Sequence, residues 1–112
     1  MIDKKVNIDG REWTFRSSAL LPKKYREKTG RDLVVDMRKL REGYKDGMDT
    51  ESLEILERVA WVMLGYAGED VGDDPDEWLE NLDGAFSAYE ALPAIFELWN
   101  TNNRTTSQPR KK

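Results

Sequence analysis

Residues 50–68 read TESLEILERVAWVMLGYAG, and they decide the architecture. Asp49 or Thr50 supplies an oxygen to cap the start of a helix. Glu51, Glu54 and Glu57 follow early, where the positive end of the helix dipole favours acids. From Val59 onward nearly every residue is apolar, so this helix has no face to give to water. Other elements must enclose it, and Trp61 is its largest core side chain. Gly65 and Gly68 loosen or close its far end.

The walls of that enclosure are sought on either side. Upstream, residues 4–16 read KKVNIDGREWTFR: Val6 and Ile8 alternate before Asp9-Gly10, and Trp13 and Phe15 alternate after it. Period-two apolar residues around an Asp-Gly pair predict a β-hairpin over 4–16. A hairpin alone is marginal in water, so its apolar face must lie on helices. In SSALLPKKYREKTG, residues 17–30, Ser17 or Ser18 is expected to cap a short helix, with Pro22 in its first turn and Gly30 at its end. A longer helix follows from Asp32, where Leu33, Met37, Leu40 and Tyr44 make one apolar stripe. Asp36, Arg38, Lys39, Arg41 and Glu42 are assigned to its other faces.

Downstream, residues 68–84 read GEDVGDDPDEWLENLDG, with eight acids and no base. Asp74, Pro75 and Glu77 have the order of a capping box and predict a short helix over 75–81, with Trp78, Leu79 and Leu82 turned inward. In GAFSAYEALPAIFELWN, residues 84–100, Phe86, Tyr89, Leu92, Phe96 and Trp99 recur at helical spacing. Pro93 lies within that stripe, lacks an N–H and crowds the carbonyl of Tyr89, so a kink or a break is expected. After Asn100 the pattern stops. The expectation is a mainly α fold: one small domain over 1–100 of about five helices with an N-terminal hairpin, then a flexible polar and basic tail over 101–112.

Composition narrows the chemistry. The 112 residues include no Cys and no His. This removes disulfides, thiolate metal sites and every Ser-His or Cys-His nucleophile pair. The longest apolar run, residues 59–64, is far short of the ~20 needed to cross a bilayer. The N-terminus has no apolar leader, so a cytoplasmic protein with no membrane partner is expected. The net charge of −4 is unevenly laid out: residues 1–48 carry a balance of +5, residues 49–100 one of −13, with Arg58 their lone base, and the last twelve residues add +4. A dipolar chain of this kind favours self-association or partner contacts with an electrostatic component.

Four constellations bear on chemistry. The acids of residues 69–83 fail the Ca²⁺-loop spacing from Asp70, where position 3 is Gly72, and from Asp74, where position 6 is Leu79. They read as a capped, solvated loop, and no metal and no cofactor is expected. The neighbouring carboxylates Asp73, Asp74, Asp76 and Glu77 lack the burial that acid–base work needs, so no enzyme is expected. Lys23, Lys24, Arg26, Lys28 and Arg31 surround Tyr25, an arrangement able to meet phosphates and stack a base, though a solvated helix face explains it as well. The stripe Phe86, Tyr89, Leu92, Phe96 and Trp99 reads either as core or as a part-exposed surface for helix-in-groove docking.

The order of segments resembles a known family. IDGREWTF (8–15), SSALLPKKYREKTGRDLVVDM (17–37), the apolar helix ending near Gly68, PDEWLENL (75–82), LWNTN (98–102) and TTSQPRKK (105–112) together are similar to the small tail assembly chaperones of long-tailed bacteriophages and of prophages in Gram-positive bacteria. The resemblance implies a non-enzymatic role in the host cytoplasm. The tape-measure protein is its implied partner, coated while the tail tube polymerises, with the tail tube protein a further one. It also implies that a longer, frameshifted form can begin near Lys111-Lys112. The alternative is a small nucleic-acid-binding or head–tail accessory protein using the basic residues of 23–31 and the tail.

Overall fold

The computed structural model describes residues 1–107, with side chains described through Asn100. Strands β1 (Ile2–Ile8) and β2 (Arg11–Ser17) pair antiparallel, Val6 opposite Trp13 and Ile8 opposite Arg11. Asp9 (φ 55) and Gly10 (φ 85) both take positive φ, the two-residue turn whose twist matches that of the strands. Asn7 Oδ1 accepts the Gly10 N–H at 3.0 Å. Ile8, Trp13, Phe15 and Ser17 are buried, so the hairpin lays one face on the helices, as its alternation predicted.

Helix α1 (Leu21–Thr29) has Pro22 in its first turn and ends at Gly30, φ 74. Neither serine is its N-cap. Leu20 holds that position, while Ser18 accepts the Leu20 and Leu21 amides and Ser17 is buried in the strand. Helix α2 (Leu33–Asp46) is capped by Asp32, which accepts from Val34 and Val35. Two expectations for α2 are corrected. Tyr44 is 59% exposed, and Asp36 is 1% exposed. Tyr44 lies in the last turn, with one side of its ring on Phe96 and the rest in water. Asp36 lies three residues after Leu33 and four before Leu40, on the inward face.

Helix α3 (Thr50–Tyr66) is capped by Asp49, whose carboxylate accepts the Ser52 amide. It packs against α1, α2, α5 and β2, and against α4 (Pro75–Leu79). The enclosure read from residues 59–64 is therefore observed. The short α4 stops two residues before its expected end. Asp74 accepts the Glu77 amide as predicted, but Glu77 returns to the Asp73 amide, one residue before the cap. Trp78 is fully buried, its ring edge-on to Trp13 with centroids 6.1 Å apart, while Leu79 and Leu82 are half-buried.

Ahead of Pro93 the chain changes helix type at Leu92. A 3-10 helix (Ser87–Ala91) is followed by α5 (Leu92–Ser107), with Pro93 in its first turn, where a missing N–H costs nothing. The tail expected from 101 is helical as far as Ser107, and the remainder of that expectation, 108–112, lies outside the described residues. The protein is thus mainly helical, with an N-terminal two-stranded hairpin on one continuous apolar core. No described helix is long and apolar enough to cross a membrane.

Candidate partner-binding surface

The five aromatic and aliphatic residues of the last stripe do not form one surface. In a 3-10 helix residues three apart eclipse one another. Phe86, at the entry of that helix, accordingly stacks on Tyr89, with centroids 5.6 Å apart and planes 14° from parallel. Phe86 is 63% exposed, Tyr89 is half-buried, and Leu92 is core. Phe96 and Trp99 sit elsewhere, against α2. The change from 3.0 to 3.6 residues per turn at Leu92 separates the two pairs, a phase shift that a uniform helical spacing hides.

At the second location side chains of α2 and α5 meet. Tyr44 meets Phe96 edge-on, centroids 5.6 Å apart. One turn on, Arg41 Nη2 donates to Asn100 Oδ1 at 2.8 Å, its guanidinium 5.7 Å from the Phe96 ring centre. These pairs run in opposite directions along the chain, so the helices are antiparallel. Between them lies a groove of about 280 Å³ lined by Val34, Met37, Arg38, Arg41 and Trp99. Val34 is exposed beside it, and Trp99 keeps only its edge in water.

The groove helix α2 is held from below by a buried charge. Asp36 accepts the Tyr25 hydroxyl at 2.6 Å and two Arg31 N–H groups at 2.8 and 2.9 Å. Burial pushes the Asp36 carboxyl up, but the hydrogen bonds from Arg31 and Tyr25 outweigh it and leave the pKa below the ordinary value. Burial and then the Asp36 charge push Tyr25 above the usual tyrosine range. Arg58, the lone base of the acidic half, adds its positive charge to this network. With α2 pinned to α1 in this way, Val34, Arg38 and Arg41 are fixed on the opposite, outer side.

The basic cluster of 23–31 is largely engaged by its own chain. Tyr25 is fully buried and unable to stack on a base. Arg31 is paired with Asp36, and Lys24 and Lys28 lie 4.9 and 5.8 Å from the ring centres of Tyr66 and Trp61. Lys24, Lys28, Trp61 and Tyr66 frame a cleft of about 460 Å³, whose rim also carries Glu27, Glu69, Asp70 and Asp73. Among the described residues no group of three or more acids is placed to hold a metal. Glu69 instead accepts the Thr14 amide at 2.6 Å and faces Arg11.

Of the groove residues, Val34, Arg38 and Arg41 were not singled out from sequence. A signal existed: Leu33-Val34-Val35 is three apolar residues in succession, and a helix 100° per residue cannot turn all three inward. Val34 and Val35 are in fact 48% and 37% exposed. No protein-family model, no curated protein and no solved structure matches this chain.

Proposed function

We propose that this chain is a non-enzymatic tail assembly chaperone of a long-tailed phage or prophage. It acts in the host bacterial cytoplasm, with the tape-measure protein as its partner and the tail tube protein as a further one. The reading rests on the order of resembling segments along nearly the whole chain. The observation that carries it on the structural side is the aromatic surface left beside α2 and α5 on an otherwise highly charged domain. Apolar side chains held at the rim of such a domain cover a partner's apolar helix, while the surrounding charge keeps the complex dissolved.

Co-purification with a tape-measure fragment is the direct test. Phe96→Ala and Phe86→Ala separate the two aromatic locations, and circular dichroism verifies that each variant is folded. Loss of capture with Phe96→Ala supports the α2–α5 location. Failure of the unaltered chain to capture any tape-measure fragment sinks the reading.

A further inference from the structure

We infer that the α2–α5 groove receives an acidic amphipathic helix of the partner, one large apolar side chain entering between Val34, Met37 and Trp99 while carboxylates meet Arg38 and Arg41. The inference rests on the chaperone reading and specifies its partner's chemistry. At about 280 Å³ the groove lies at the lower edge of the range for ligand cavities and has room for a large side chain. Its floor and one wall are the outer face of α2 and its other wall is the Trp99 side chain of α5, a helix face against which a partner helix can pack.

Charge selects the occupant. Both charged residues lining the groove are arginines. Val34, Arg38, Arg41 and Lys45 follow one another at i, i+4, i+7 and i+11, one stripe extending about 16 Å along α2. Glu42, one residue from Arg41, does not line the groove. The acids concentrate in residues 49–100, with a balance of −13, so an acidic segment is disfavoured against that half and favoured on the arginine-bearing face of α2. Arg41 is also held in advance. Asn100 takes one of its N–H groups and Phe96 lies under the guanidinium, which lowers the entropy cost of presenting the remaining donors to a carboxylate. The larger cleft makes a poorer site for an acidic segment, because Glu27, Glu69, Asp70 and Asp73 stand on its rim.

Two labelled helical peptides of about 20 residues, long enough to be helical in water, test the assignment by fluorescence anisotropy against the full chain. They share one apolar stripe, flanked by Glu in one and by Lys in the other. The Glu peptide is expected to bind roughly tenfold more tightly or better, and to weaken as salt rises. The double variant Arg38→Glu, Arg41→Glu is expected to reverse the preference, and Val34→Asp, at an exposed position, to weaken the Glu peptide while leaving the fold intact. Equal binding of both peptides, or Glu-peptide binding unchanged in the double variant, overturns the inference. So does a single-stranded DNA oligonucleotide that outcompetes the Glu peptide. A tape-measure fragment run in parallel keeps the two readings apart. Capture of the fragment that survives the double variant removes the groove and leaves the chaperone reading. Binding of the Glu peptide without capture of any fragment does the reverse.

Discussion

The Tyr25 hydroxyl and the Asp36 carboxylate meet at 2.6 Å, joining α1 to α2 through a buried acid. Asp36 also takes two hydrogen bonds from Arg31, whose side chain is partly exposed. Removing the carboxylate strands the donors around it, whereas removing the phenol takes away one hydrogen bond. Asp36→Ala is therefore expected to cost about 2–3 kcal/mol and Tyr25→Phe about 1–2 kcal/mol. Urea denaturation of both single variants and the double variant checks this, and additive losses would show that the two groups are not coupled.

The same pair sets the pH dependence at both extremes. A carboxylate held below its ordinary pKa contributes stability above about pH 4, and that contribution is lost as pH falls through the lower folded value. Asp36 acts in this direction, and the lowered carboxyls of Asp3, Asp9 and Asp49 act with it. Tyr25 is the opposite case. Its stability is fully present below about pH 10 and is lost as pH rises through the raised folded value. Urea midpoints measured against pH should fall less steeply on the acid side in Asp36→Asn and less steeply on the alkaline side in Tyr25→Phe.

Glu57 carries a cost at neutral pH. It is half-buried on α3, and burial, followed by the charges of Glu54 and Asp76, raises its pKa. A raised carboxyl contributes stability below its unfolded pKa, and the contribution is gone once pH has risen through the folded value. Glu57→Gln is expected to raise stability at pH 7 by up to about 0.5 kcal/mol. The gain should shrink in acid, where the wild-type side chain is already neutral. Thermal melts at pH 7 and pH 4 give the comparison.

Two helical glycines should respond to alanine with opposite signs. At Gly65 an added Cβ meets Val71 Cγ2 at an ordinary 3.6 Å, so Gly65→Ala is expected to stabilise by about 0.5–1 kcal/mol. At Gly43 the added Cβ lies 2.8 Å from the Ser52 Cβ and closer still to its hydroxyl. Overpacking between α2 and α3 is expected to outweigh the gain in helix propensity and to cost about 1–3 kcal/mol. Ser52→Gly in the same chain should recover part of the loss, and equilibrium unfolding of the four variants decides the matter.

Much of the fold was legible because its signals are local. The Asp9-Gly10 pair marks the hairpin by itself, and Asp32, Asp49 and Asp74 mark three helix starts through bonds to amides two or three residues away. What escaped depends on partners distant in sequence. As a charged residue Asp36 reads as belonging to a face other than the apolar stripe, although its spacing from Leu33 and Leu40 puts it on the inner face. Its burial is tolerable only because Tyr25, Arg31 and Arg58 converge on it. The stripe from Phe86 to Trp99 failed as one surface because a 3-10 segment alters the phase ahead of Pro93. Of its five residues Trp99 lines the groove, whose other lining residues come from α2, more than fifty residues earlier, while Phe96 packs on Tyr44.

Asp9 has a bearing on the order in which the molecule is completed. Beyond forming the hairpin turn, its carboxylate accepts the Asp83 amide and the Ser87 hydroxyl, both at 2.8 Å. These bonds span 74 and 78 residues of sequence, and closing so long a loop is slow compared with forming a hairpin or a helix. On the ribosome the hairpin is therefore among the first elements able to form and among the last to be latched. A nascent chain that stalls before Ser87 leaves the turn carboxylate without this clasp, while the Thr14 and Trp13 contacts of β2 with Glu69 and Trp78 are already available.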